Sequence, residues 1–141
     1  MARSPQIRSL VAVALLFGIA GCGLKQSMSA AGKSANTFHE KFNAQKFSEI
    51  YASSTPAFKS ATKEADFVKL LQAIQRKLGK YKSATQTGWR GNTTPAGTVV
   101  VLTYNSQFEK HSAVETFTFA VSGETATLQG YNINSNALIT E

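Results

Sequence analysis

The apolar residues of this 141-residue chain change their spacing once, near Gly79, and that change constrains the fold more than any other feature. Before it, Phe67, Leu70, Leu71, Ile74 and Leu78 follow the i, i+3, i+4, i+7, i+11 pattern of a helix with one buried face. After it, the apolar residues alternate. Val100, Leu102, Tyr104 and Phe108 share one side of a strand over Thr98–Phe108; Phe117, Phe119 and Val121 share one side of Ala113–Val121, with Thr116 and Thr118 opposite. Helices first and strands afterwards predict an α+β domain, with N-terminal helices packed on one face of an antiparallel sheet of about four strands.

Local signals set the expected boundaries. Thr37–Asn43 carries Phe38 and Phe42 at i,i+4 spacing, and Phe47, Ile50 and Tyr51 continue an apolar face in a second short helix. Thr55-Pro56 breaks that pattern, because a residue before proline avoids helical angles. The long helix is expected from Lys63 to Leu78, with Thr62 as N-cap and Gly79 at its stop. Tyr81–Arg90 reads as a polar strand closing on Trp89, and Gly91–Gly97 as a turn-rich loop. Ser122-Gly123-Glu124 predicts a hairpin turn into a last strand, Thr125–Ile133. A bulge at Gly130 would let Leu128, Tyr131 and Ile133 all face inward.

The N-terminus has a different logic. Arg3 and Arg8 precede an eleven-residue apolar run, Leu10–Ala20, and no acidic residue occurs before Glu40. As a helix the run would span about 16 Å, roughly half the hydrocarbon core of a bilayer, which suits a signal peptide and not a stable span. Ile19-Ala20-Gly21-Cys22 then resembles the bacterial lipobox in all four positions. The resemblance implies a diacylglyceryl group on the Cys22 sulfur, cleavage before Cys22 and acylation of the new amino group. It divides the chain into a signal peptide over 1–21, a lipidated cysteine with a flexible tether over 22–36, and a globular domain over 37–141. The tether reading rests on a small, polar, aperiodic stretch, Gly23–Asn36. Gly23, where inner-membrane lipoproteins commonly carry Asp, implies the periplasmic face of the outer membrane.

Cys22 is the single cysteine, so no disulfide can form within the chain. Without Arg3 and Arg8, 13 basic residues face 8 acidic ones. That surplus favours anionic neighbours. The expected partners are the membrane, through the acyl chains, and an envelope protein or anionic envelope component; nucleic acid is not expected.

Little in the sequence suggests catalysis, and neither a metal nor a cofactor is expected. His39 and His111 sit in separate elements, and His39 beside Glu40 reads as a solvent-facing pair. Asp66 falls in the first turn of the long helix, where a carboxylate suits the helix dipole. Two features stand out. Lys69 and Arg76, with Lys80 if the helix extends, form a basic stripe facing away from Leu71 and Ile74; it reads first as a solvated face, and alternatively as a contact for envelope anions. Glu115 falls on the face of Phe117 and Phe119; it reads first as a rim carboxylate paired with Lys110 or Arg90.

The element order, with the Leu78-Gly79 helix end and the Gly130-Tyr131-Asn132-Ile133 segment, resembles small cystatin-like or NTF2-like domains over about residues 35–135. Periplasmic lipoprotein domains of that group are the most similar. The resemblance implies a non-catalytic binding module or, alternatively, a small-molecule or enzymatic pocket in which Glu115 acts as general base beside Tyr104.

Overall fold

A computed structural model describes the backbone of residues 20–140 and the side chains from residue 23 onward. The expected signal peptide, as far as Ile19, and the side chain of Cys22 lie outside the described residues. The elements run α1 (Ala20–Asn43), α2 (Phe47–Ala52), α3 (Pro56–Ala61), α4 (Glu64–Leu78), β1 (Tyr81–Thr94), β2 (Gly97–Phe108), β3 (Ser112–Ser122), β4 (Thr125–Asn134) and α5 (Asn136–Ile139). The strands form one antiparallel sheet in the order β1-β2-β3-β4, with the helices on one face. This is the expected α+β architecture.

The largest departure is α1. The stretch expected as a flexible tether, residues 22–36, is helical and packed, so the domain begins near residue 23 and not at 37. Ser27, Ala31, Ala35, Phe38 and Phe42 are all buried and recur at intervals of three or four, forming one face with buried Ala30 beside it. Alanine is the best helix former and lets the helix axis approach the sheet closely. The stripe is nearly invisible to hydropathy because its residues are small. No described helix is long and apolar enough to cross a membrane.

Helix α4 buries Phe67, Leu71, Ile74 and Leu78, whereas Leu70, expected on the same face, is 44% exposed at its border. Thr62 is not its N-cap; that position belongs to Lys63, and Thr62 instead closes α3. Pro56 starts α3 at a position where its missing N–H costs nothing, and the Thr55 side chain accepts from Phe58 N. Gly79 ends α4 at φ 83°, so the helix does not reach Lys80.

In the sheet, the expected Gly91–Gly97 loop shrinks to a tight turn. Gly91–Thr94 extends β1 and pairs with Gly97–Val100 of β2. The β3–β4 hairpin turns on Gly123 and Glu124 with Ser122 opposite Thr125, and Gly123 has φ 59°. The register shifts at Gln129-Gly130, as the broken alternation predicts, and Leu128 and Tyr131 both pack on the core.

Candidate functional site

Four elements set a polar cluster inside the apolar layer. Helix α1 lays His39 on the same side as Ala35 and Phe42, at i+4 and i−3, and His39 is only 4% exposed. Strand β3 puts Glu115 on the helix-facing side between Tyr104 of β2 and Ile133 of β4, with no exposed surface at all. Ser106 of β2, equally buried, and Tyr131 of β4 reach the same carboxylate.

The contacts satisfy both carboxylate oxygens. Glu115 Oε1 accepts from the Tyr131 hydroxyl at 2.6 Å. Oε2 accepts from Ser106 Oγ at 2.5 Å and lies 2.8 Å from His39 Nε2. An ionised carboxylate only accepts, so Nε2 carries the hydrogen in this contact. The His39 ring stacks on Tyr81 at 3.6 Å and 3°, and meets Phe38 and Phe117 edge-on. Its Nδ1 is buried without a hydrogen-bond partner. Beside it runs a groove of about 330 Å³ between α1 and β1, lined by Asn36, His39, Glu40, Asn43, Tyr81 and Lys82. The Asn43 amide is already engaged, donating to Tyr81 O at 2.9 Å and accepting from Tyr81 N at 2.8 Å.

The cluster's electrostatics keep its phenols neutral. Burial holds the Tyr131 hydroxyl well above the usual phenol range, reinforced by the Glu115 charge and by the hydrogen bond to it. Burial also raises Tyr104, with Tyr81 and Glu115 adding to the effect, and raises Tyr81, with Glu115 adding again.

Both sequence readings of Glu115 are therefore revised. Alternation correctly put it on the face of Phe117 and Phe119, but it is not a rim carboxylate and pairs with neither Lys110 nor Arg90. Lys110 Nζ donates to the Arg76 carbonyl at 2.9 Å instead. Nor does Glu115 line a pocket with Tyr104, because Tyr104 packs edge-on against Phe117 and Glu115 is sealed beneath the helix. His39 is not a solvent-facing partner of Glu40. The signal that could have found it is the α1 stripe, since counting Ala35 and Phe42 as buried puts His39 on the inner face. Chemically the cluster is a clasp: one helix and three strands share a single carboxylate. His39 alone borders the groove.

The basic stripe is only partly assembled. Lys69 and Arg76 are exposed on α4, but Lys80 lies beyond the helix, its N–H donating to Glu109 Oε2 at 2.9 Å. Among the described residues no group of three or more His, Cys, Asp or Glu is arranged to hold a metal.

The profile of a family described as a protein of unknown function (DUF4019) matches residues 34–131, more than half of the chain, and the chain belongs to that family. All four members of the clasp fall inside the matched segment. No curated protein matches the chain.

Proposed function

We propose that this DUF4019 protein is an envelope lipoprotein, held by acyl chains on Cys22 at the periplasmic face of the outer membrane, with a non-catalytic interaction domain. The observation that carries the non-catalytic reading is the closure of the core around Glu115. The one carboxylate suited to act as a general base has no exposed surface and both oxygens engaged. A substrate has no route to it without lifting α1.

The geometry also suggests where a partner would sit. Helix α1 starts beside the turn between β3 and β4, with Gln26 Nε2 near Glu124 at 3.5 Å, and ends at Tyr81. Cys22 and Asn43 are thus about 30 Å apart along the helix axis. Arg76, Lys80 and Lys110 gather at the Asn43 end, where Lys110 N donates to Leu78 O and Glu109 N to Lys80 O. In a chain anchored at Cys22 this basic end points away from its own membrane, toward an anionic envelope component or an acidic protein surface. A small-molecule reading retains one supporting observation, the unpartnered His39 Nδ1 beside the α1–β1 groove.

Labelled palmitate tests the anchor. The native chain is expected to incorporate it, and Cys22→Ser to abolish incorporation and leave an unprocessed or soluble form. Undiminished label in Cys22→Ser would overturn the reading.

A further inference from the structure

Helix α1 leaves almost no slack between Cys22 and the folded domain. Leu24 already covers Gly91 of β1, so closely that a Cβ built on Gly91 would meet Leu24 Cδ1 at 2.5 Å. Ser27, less than one turn further on, is buried. At 1.5 Å per residue Leu24 stands about 3 Å along the helix from Cys22, where an extended fourteen-residue tether would have allowed about 45–50 Å.

What lies at this end is the chain's single tryptophan. Trp89 sits two residues before Gly91 on β1, its ring 3.7 Å from that same Cβ position, and it is 48% exposed. The other large apolar side chains exposed among the described residues, Leu70, Val114 and Ile139, are all aliphatic. Two exposed cations are adjacent in the chain: Lys25 follows Leu24, and Arg90 follows Trp89 on the opposite face of β1. Two residues of strand add about 7 Å, so Trp89 lies about 10 Å from Cys22 along the helix direction, on the side of Gly91 away from the anchor. The headgroup layer is about 5–8 Å deep on each side of a bilayer, and an indole reaches several ångströms beyond its backbone. Tryptophan, apolar in body and polar at its N–H, favours that layer, and cations there meet lipid phosphates.

We propose that the Cys22 end of the domain docks directly on the phospholipid surface, with the Trp89 indole at headgroup level and Lys25 and Arg90 toward the lipid phosphates. The proposal rests on the lipidation of Cys22 and adds to it a fixed orientation. The occupant is a bilayer because the acyl chains would emerge less than one helical turn from Leu24.

Trp89 fluorescence tests this without a label, since no other tryptophan contributes. The full-length lipidated protein would be reconstituted into phosphatidylethanolamine and phosphatidylglycerol vesicles containing lipids brominated near the ester carbonyls. The expected result is a blue-shifted emission, quenched by the brominated lipid and shielded from aqueous iodide. A flexible Gly/Ser segment inserted after Gly23 is expected to restore iodide access while palmitate labelling persists. Unshifted, unquenched emission from a palmitate-labelled chain would overturn the docking and leave the lipoprotein reading standing. Absence of palmitate label from the native chain would overturn both. Shielding from iodide without quenching by brominated lipid would mean that protein covers Trp89, such as a second copy of the chain, and would also overturn the docking.

Discussion

Replacing Glu115 by alanine removes the acceptor shared by His39 Nε2, Ser106 Oγ and the Tyr131 hydroxyl. His39 and Ser106 are buried at 4% and 0% exposure, so two donors would be left far from bulk water, and each such group costs about 1–3 kcal/mol. The Tyr131 hydroxyl is enclosed as well and loses its acceptor, which strands a third donor. The emptied space lies on the buried face of β3 that Phe117 shares, and lost packing adds about 1–2 kcal/mol. The sum is about 4–11 kcal/mol, at its low end if a water enters and satisfies the donors. A domain of this size is stabilised by about 5–15 kcal/mol in total, so the variant is expected to fold marginally or not at all at 37 °C. Glu115→Gln behaves differently. Its oxygen can stay with His39 and Ser106 while its amide nitrogen faces a Tyr131 hydroxyl free to rotate and accept, for a cost of about 1–2 kcal/mol. Urea titrations of the domain from residue 23, followed by circular dichroism and Trp89 emission, measure both as midpoint shifts at constant m. An alanine variant within about 1 kcal/mol of the parent, the range of an exposed ion pair, would refute the clasp. A glutamine variant that folds and localises normally yet fails to rescue a deletion strain would bring the small-molecule reading forward.

Two further variants probe the same layer. The raised tyrosines make stability fall in alkali: below pH 10 both states keep their protons, and above it the unfolded chain releases protons that the folded one retains. Tyr131, the enclosed and most strongly raised of the three, contributes up to about 1.4 kcal/mol per pH unit in that window, so Tyr131→Phe is expected to flatten the slope by up to that amount, and an unchanged slope would refute the assignment. Ala31→Leu puts three carbons where no surface is exposed and is expected to cost about 1–3 kcal/mol in the same urea titration, whereas a flexible tether would be indifferent to it.

What the sequence disclosed followed the size of the side chains. Phe67, Leu71, Ile74 and Leu78, and the aromatic alternation of β3, each bury enough apolar surface to mark a face unmistakably. Gly123 and Gly130 were legible as a turn and a bulge because backbone chemistry, not burial, marks them. The α1 stripe was not legible. Its alanines and serine gain little from leaving water, so their helical spacing did not stand out from a linker composition. At Gly91–Thr94 the residues are those of a loop, but Gly97–Val100 offers a ladder to pair with, and tertiary pairing overrides local preference. Alternation puts Glu115 on the correct face, but a sequence offers cations such as Lys110 and Arg90 as the obvious partners of a lone carboxylate. A buried carboxylate is equally well met by neutral donors, and His39 lies 76 residues away.

The weakness of that stripe explains the polar contacts along α1. An alanine face tolerates sliding, since neighbouring registers bury nearly the same small surface. Three side chains remove the ambiguity. Ser34 Oγ donates to Ala126 O at 2.8 Å on β4, His39 reaches Glu115 on β3, and Asn43 makes a two-way contact with Tyr81 on β1. They recur at five- and four-residue intervals along one helix and touch three different strands, so a shift of one residue would break all of them. The clasp thus contributes register as much as stability, the use for which buried polar groups are best attested. In the proposed lipid-anchored state register has a consequence outside the fold. A helix fixed at Asn43 and continuous to Cys22 transmits its placement on the sheet to the point where the acyl chains begin. Loosening the clasp would then free the orientation of the whole domain at the membrane, and weaker Trp89 quenching in a His39→Ala background, which removes the α1 contact, would report it.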